Sequence, residues 1–372
     1  MDQEVFGISP GESIPGSVVH DYLHRYAEEF NLYSRIRLKL KVETIEKRGA
    51  DGWLVTVSQT SGDPNSTTLL ARKLIVATGL TSDPFLPNLK GSESFQAPLF
   101  HAKDFAQQSD TLNSAKSVVV LGGAKSGWDI AYAYASAGVK VHWVIRSSGH
   151  GPAWMSPSYV SPFKMWIEKL LHTRFLTWFS PSIWGDADGY PRIRRFLNGT
   201  KLGRALIRIF WWILGRDVIQ LNRYNAHSET AKLKPWTPLF STGATTSILN
   251  YPNNIFDFVR DGQIKVHISD ITQLTPRTVH LSNGGHIETD LLVCCTGWKY
   301  CSPIKFLPAG FERSFGLPYY CAEPSKNVTD ADSIILKKFP ILKTQTHIHE
   351  KTQYAIMTKQ SYPINLIDCI VS

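Results

Sequence analysis

The residues best suited to chemistry are the run Gly122-Gly123-Ala124-Lys125-Ser126-Gly127, which follows directly on the apolar stretch Val118–Leu121. An apolar strand that ends in a glycine-rich turn and opens a helix brings backbone N–H groups and the positive helix end to one point. That is the arrangement that holds a pyrophosphate. Trp128–Ala137 has helical character, and Val139–Ile145 forms a second apolar run ending in Arg146. The full strand-turn-helix-strand context of a dinucleotide fingerprint is therefore present. Gly122 is expected to make the tight turn and Gly127 to let helix and strand pack closely. Ala124 stands where a third glycine is usual. A phosphate-binding loop of the other common type needs glycine immediately before the lysine and again five residues earlier. Ala124 and Val119 occupy those positions, which excludes it.

The residue at the end of the second strand selects the nucleotide. An acid there binds ribose hydroxyls, whereas an arginine accommodates a 2′-phosphate. Arg146 follows Gly122 by 24 residues, so NADPH is expected rather than NADH, with Lys125 adding positive charge nearby. Two more segments, Leu74–Gly79 and Leu291–Gly297, read as apolar strands that end in Thr-Gly. Flanking a dinucleotide unit, such a pair fits a protein in which one nucleotide domain is nested in another.

The elements that must position these residues are legible in outline. Residues 17–31 place Val18, Tyr22, Tyr26 and Phe30 on one helical face, with Ser17 as N-cap. Strands are expected over Ile36–Ile45, Gly52–Ser58 and Thr67–Thr78, with Gly62–Asn65 as a turn. A proline-rich connection spans Ser82–Ala115. Residues 152–245 are helical in pattern and hold most of the tryptophans, reading as helical core or as the wall of an apolar pocket. Short strands return over Gln263–Cys295, with Asn283-Gly284 as a hairpin turn.

Composition narrows the class. The chain has 372 residues, 43% hydrophobic and 19% charged, enough for two domains of a globular protein. A net charge of +9 suits a polyanionic cofactor, and no nucleic-acid-reading motif occurs. Five cysteines without regular spacing argue against a disulfide framework and a metal site. The segment Ala205–Leu214 is too short for a spanning helix and Arg208 interrupts it, so a buried or surface-docked helix is expected. The start of the chain shows no secretory pattern, and the cytoplasm is the expected compartment.

Taken together, these residues resemble the flavin-containing monooxygenase family, including its fungal branch and the Baeyer–Villiger enzymes related to it. Phe95-Gln-Ala-Pro-Leu-Phe-His101-Ala-Lys-Asp-Phe105 is similar to the family's linker motif, with Ala97 in place of glycine, and Gly122–Asp129 resembles the NADPH turn of fungal members. The resemblance covers roughly residues 15–345. It implies an α/β chain of two nested Rossmann-like domains. The expected division is 1–113 and 289–372 as a partial FAD-binding domain, with 114–288 as the NADPH-binding domain. It also implies an FAD- and NADPH-dependent transfer of one oxygen atom from O2 to a lipophilic small molecule, such as a polyketide-like metabolite of fungal secondary metabolism. Cofactor-binding positions are then Gly122, Gly123, Lys125, Ser126, Gly127, Arg146 and His101, with Val42, Thr78 and Gly79 toward the flavin.

Between Met1 and Ser17 no Gly-x-Gly-x-x-Gly turn for the FAD pyrophosphate occurs. The segment that closes the family's flavin domain is also expected to be missing after about Lys351. A second reading is therefore a remnant that binds a dinucleotide without turnover. A third, a dithiol flavoprotein reductase, needs a closely spaced cysteine pair, and only the adjacent Cys294-Cys295 come near that. No catalytic side chain, type of oxygenation or oligomeric state is assigned.

Overall fold

The computed structural model describes residues 7–8, 14–49, 52–60, 66–79, 82–160, 164–171, 173–182, 189–242, 247–299, 303–311 and 326–345. The tail after Lys351, Cys301, Cys321, Cys369 and the turn expected over Gly62–Asn65 lie outside them. The chain divides into two compact units, one of residues 1–78, 302–319 and 365–372, the other of 79–301 and 320–364. Residues 79–113 and 289–301 thus group with the glycine-rich turn.

In the smaller unit, helix α1 (Gly16–Glu29) precedes an antiparallel meander of β1 (Leu40–Lys47), β2 (Trp53–Gln59) and β3 (Ser66–Ala71). The strand Lys305–Leu307 pairs in parallel with β1 and completes a four-stranded sheet. Its core is small: Ile45, Val55, Val57 and Phe306 are buried, with Val42, Leu69, Leu74 and Val76 against them. Two expectations fail here. Pro15, not Ser17, stands at the helix N-cap, and Ser17 lies in the first turn. The strand ending in Thr78-Gly79 does not form; β3 stops at Ala71, and Leu74–Gly79 runs without strand pairing. Among the described residues no strand lies beside this stretch to take its backbone groups, and Ile75 stays 84% exposed.

The larger unit is built on a five-stranded, all-parallel sheet. Its strands are β4 (Leu99–His101), β5 (Ser117–Leu121), β6 (Lys140–Ile145), β7 (Ile264–Ile268) and, after a three-stranded meander, β11 (Leu291–Cys294). The spatial order is β7-β6-β5-β11-β4. Helix α2 (Lys125–Ser136) crosses from β5 to β6. The meander of β8 (Ile271–Thr275), β9 (Thr278–Leu281) and β10 (His286–Glu288) turns at Asn283-Gly284 as expected, with Gly284 at φ +83°. Both faces of the sheet are covered, which explains the unbroken apolar runs Val118–Leu121 and Leu291–Cys294. On one face Val118, Val120, Val141, Trp143, Ile264 and Val266 pack against Trp128, Ala131 and Tyr134 of α2. On the other, Val119, Leu121, Val144, Leu292 and Cys294 meet Leu274, Val279, Leu281 and Ile287 of the meander, together with Phe95.

The proline-rich connection is more than a linker, because it supplies β4, which pairs with β11 at the sheet edge. The aromatic-rich stretch after Ile145 is a helical layer containing α3 (Pro191–Gly199) and α4 (Lys201–Leu221). Trp154, Ile207, Trp211, Leu214 and Val218 form its core with Ile335 of the helix Lys326–Lys338 and Phe339 just after it. Of the two readings of its tryptophans, core packing holds for Trp154 and Trp211.

Candidate dinucleotide site

The parallel sheet fixes the glycine-rich turn at the carboxyl ends of its strands, where β5 stops and α2 starts. Gly122 has φ +128°, a conformation that side chains disfavour, and a Cβ there would sit 2.2 Å from the backbone oxygen of Cys295. The turn is thus wedged against the end of β11. Its backbone is also tied down: the Gly122 N–H donates to Val144 O at 2.9 Å, and the Trp143 indole Nε1 donates to Gly122 O at 2.7 Å. A Cβ at Gly127 would lie 2.2 Å from Gly122 O, so helix and turn approach as closely as backbones can. The roles expected of Gly122 and Gly127 are both visible in this packing. Gly123 lies between them, with Gly151 against it; Lys125 and Ser126 open the helix. At the helix start the N–H groups of Lys125 and Ser126 have no intrahelical acceptor, as at any helix N-terminus.

Ala124 is the N-cap in extended conformation and offers no side-chain cap. The Lys125 ammonium is not free: it pairs with Asp129 one turn on. The Tyr251 hydroxyl donates to the same carboxylate at 2.8 Å, and the Tyr251 ring stacks on Tyr132 at 4.4 Å. Burial and the Asp129 charge push the Tyr251 phenol well above its ordinary pKa. The positive charge expected from Lys125 is therefore largely compensated within the helix.

Arg146 is exposed at the end of β6 and begins a tight turn, in which Gly149 N–H donates to Arg146 O at 3.1 Å. Asp270, which sequence reasoning overlooked, organises this turn. Its carboxylate accepts from Ser147 Oγ at 2.5 Å, from Ser148 Oγ at 2.5 Å and from Ser148 N–H at 3.2 Å. Burial raises the Asp270 pKa, but these hydrogen bonds and the nearby Arg146 charge outweigh it and hold the carboxyl below its usual range. Only its position just after β7, beside β6, could have signalled it.

His101 is the last residue of β4 and is buried, in register with Cys294 of β11. Its Nδ1 accepts from Lys103 N–H at 3.1 Å, its ring meets Trp298 edge-on at 5.2 Å, and Nε2 has no hydrogen bond of regular geometry. Burial pushes its pKa down, which the Gly297 backbone offsets only in part. In the smaller unit, Val42 is half-buried at an irregularity of β1 and packs on the local core, and Thr78 is exposed. Gly79, first residue of the larger unit, is exposed at φ +68°. Among the described residues of the smaller unit no glycine-rich strand-helix turn like the one at Gly122 occurs.

Cys294 and Cys295 are buried free thiols. Burial pushes Cys294 up to about 12 and Cys295 higher still, so neither is poised as a thiolate. No group of three or more potential metal ligands converges among the described residues. A recess of about 290 Å³ is lined by Leu221, Asn222, Arg223, Leu249, Asn254, Phe256 and Arg260. The end of α4 contributes Leu221 to this recess, Phe256 is its one aromatic residue, and no tryptophan lines it.

A parallel sheet with a glycine-rich turn at its strand ends and an arginine closing the second strand is the arrangement that α/β dinucleotide-binding folds use. Comparison with known proteins narrows this. A family profile described as "Pyridine nucleotide-disulphide oxidoreductase" matches residues 5–176, a span that contains no cysteine. An "FAD-dependent monooxygenase" of Pyrenophora dematioidea is 33% identical over 91% of this chain and 64% of its own length. "FAD-dependent monooxygenase rstn6" of Aspergillus nomiae is 31% identical over 90% of this chain and 61% of its own. The chain therefore spans about three-fifths of the length of these relatives. Among solved structures, ε-caprolactone-bound cyclohexanone monooxygenase is similar in fold, with a TM-score of 0.52 at 15% identity over 80% of this chain and 62% of that one. FAD-bound OTEMO gives 0.52 at 18% identity, over 82% of this chain and 61% of that one. Over about three-fifths of their length the chain is similar to these fungal proteins, and it shares the α/β fold of the solved monooxygenases.

Proposed function

We propose that this chain is part of an FAD- and NADPH-dependent monooxygenase that places one oxygen atom of O2 on a lipophilic small molecule. The observation that carries the reading is the close-packed glycine turn at Gly122, which opens α2, with Arg146 at the end of the next strand. Gly122, Gly123 and Gly127 would admit the pyrophosphate to the N–H groups of Lys125 and Ser126. Arg146 would take the 2′-phosphate, its turn held in shape by Asp270. His101 would link the cofactor to the edge strand on which it sits.

Support for the flavin comes from the relatives' names. When bound, it supplies the oxygen chemistry, and the protein positions reactants and excludes water. Val42, Thr78 and Gly79 are the positions proposed toward it, and no step is derived through them. The expected division of the chain, 114–288 for NADPH and the flanking parts for FAD, remains part of this proposal. A place in fungal secondary metabolism, with a polyketide-like substrate, is proposed on the family resemblance alone.

The visible absorption spectrum of the purified chain tests the reading. A bound-flavin spectrum, bleached by NADPH and restored by air, is the expected result. A colourless protein that still binds NADPH would mean that this polypeptide holds only the nucleotide.

A further inference from the structure

Helix α4 has two apolar faces. Ile207, Trp211, Leu214 and Val218 are buried in the helical layer. On a different face Leu202, Leu206, Ile209 and Ile213 recur at helical spacing and are 64%, 40%, 51% and 50% exposed. At 1.5 Å per residue this stripe is about 16 Å long. Beside it stands Trp212, 60% exposed, with the Arg216 guanidinium 5.3 Å from its ring centre. Single exposed apolar side chains are ordinary on a protein surface, but a continuous helical stripe of them marks a contact surface. The preceding helix α3 adds Ile193 and Phe196, also exposed.

The charges around the stripe say what contacts it. From Gly189 to the end of α4 at Leu221 the chain carries seven Lys or Arg and one acid, Asp217. Arg194 is buried and donates to Thr177, and Arg204 donates to Asn198 O at 3.1 Å. Arg192, Arg195, Lys201, Arg208 and Arg216 are exposed. On the helical wheel, Lys201, Arg208 and Arg216 fall along one flank of the apolar stripe, with Trp212 among them. A second copy of this face would bring like charges together. A surface that is apolar below and negative above satisfies both halves of the pattern. Such a helix lies in the plane of a bilayer, with a tryptophan at headgroup depth and basic side chains on the phosphates. Among the described residues no helix is long and apolar enough to cross a membrane, so contact would be peripheral.

We infer that the exposed face of α4, with its basic flank, docks the protein on an anionic lipid surface. The inference does not depend on the proposed function. Co-sedimentation of the full chain with vesicles tests it, using phosphatidylcholine alone against phosphatidylcholine mixed with phosphatidylserine. Expected is binding to the mixed vesicles only, weakened about tenfold or more when salt rises from about 0.1 to 0.5 M. Ile209→Asn with Ile213→Asn, and separately Arg208→Glu with Arg216→Glu, should each abolish it while the melting temperature stays unchanged. No binding, equal binding to neutral vesicles, or binding that both double substitutions leave intact would overturn the inference. So would a doubling of mass in light scattering that the substitutions reverse, which would assign the face to a second copy. Lipid-charge and salt dependence are read on the unaltered chain, so the test holds even if a substituted chain fails to fold.

Discussion

Under the proposed function Arg146 would carry nucleotide choice, and its neighbours bear on how. Ser147 and Ser148 give their hydroxyls to Asp270, which leaves the guanidinium as the charged group at the strand end without a short-range partner on this turn. Arg146→Ala is expected to weaken NADPH binding by about tenfold or more, since a hydrogen bond to a charged group contributes roughly 1.5–3 kcal/mol. NADH binding should change less than about twofold. Equal losses for both nucleotides, measured by titration, would remove the assignment. Gly122 is a different case. A substitution there could be expected from the motif alone to abolish nucleotide binding and spare the fold. The backbone oxygen of Cys295, 2.2 Å from the missing Cβ, rules that out. Gly122→Ala should lower the melting temperature as well as nucleotide affinity, because neither β11 nor the φ of +128° can yield at small cost. A variant as stable as the parent would contradict this packing.

Among the elements, those with a strong apolar period or a complete local motif were legible: β5, α2, β6 and β11, the hairpin at Asn283-Gly284, and the amphipathic α1. What escaped the sequence depends on partners far along the chain. Leu74–Gly79 has strand composition, yet composition cannot supply the neighbouring strand that its N–H and C=O groups require. Asp270 lies more than a hundred residues from the turn it holds, and only the pairing of β7 with β6 brings them together. The same pairing sets His142 Nδ1 3.1 Å from His267 Nε2. Burial, then the neighbouring imidazole and lysines, pushes His267 down to about 4, and burial lowers His142 as well. An unfolded histidine titrates near 6.5. Between about 6.5 and 4 the unfolded chain therefore binds protons that the folded one refuses, so stability should fall as pH drops through that window. Denaturant melts at a series of pH values check the sign, and His267→Gln should flatten part of the slope. A stability independent of pH from 6.5 to 4 in the parent would refute it.

At the scale of the molecule, packing is unevenly shared. Among the described residues, the larger unit has three buried clusters, two of them on opposite faces of one sheet, while the smaller unit has a single cluster around Ile45 and Phe306. Helix α1, in the smaller unit, buries no side chain. The sheet of the larger unit is where cooperative stability concentrates, and β11 runs through it between β5 and β4.

Cys294 and Cys295, at the end of that strand, turn it into a clock. A thiol held protonated and out of reach does not meet an alkylating reagent until the sheet around it opens. Peptide-resolved alkylation of these two positions over time should therefore proceed at the rate of global opening of the larger unit, and accelerate with denaturant as unfolding does. Fast labelling under native conditions would mean that this part of the sheet opens on its own.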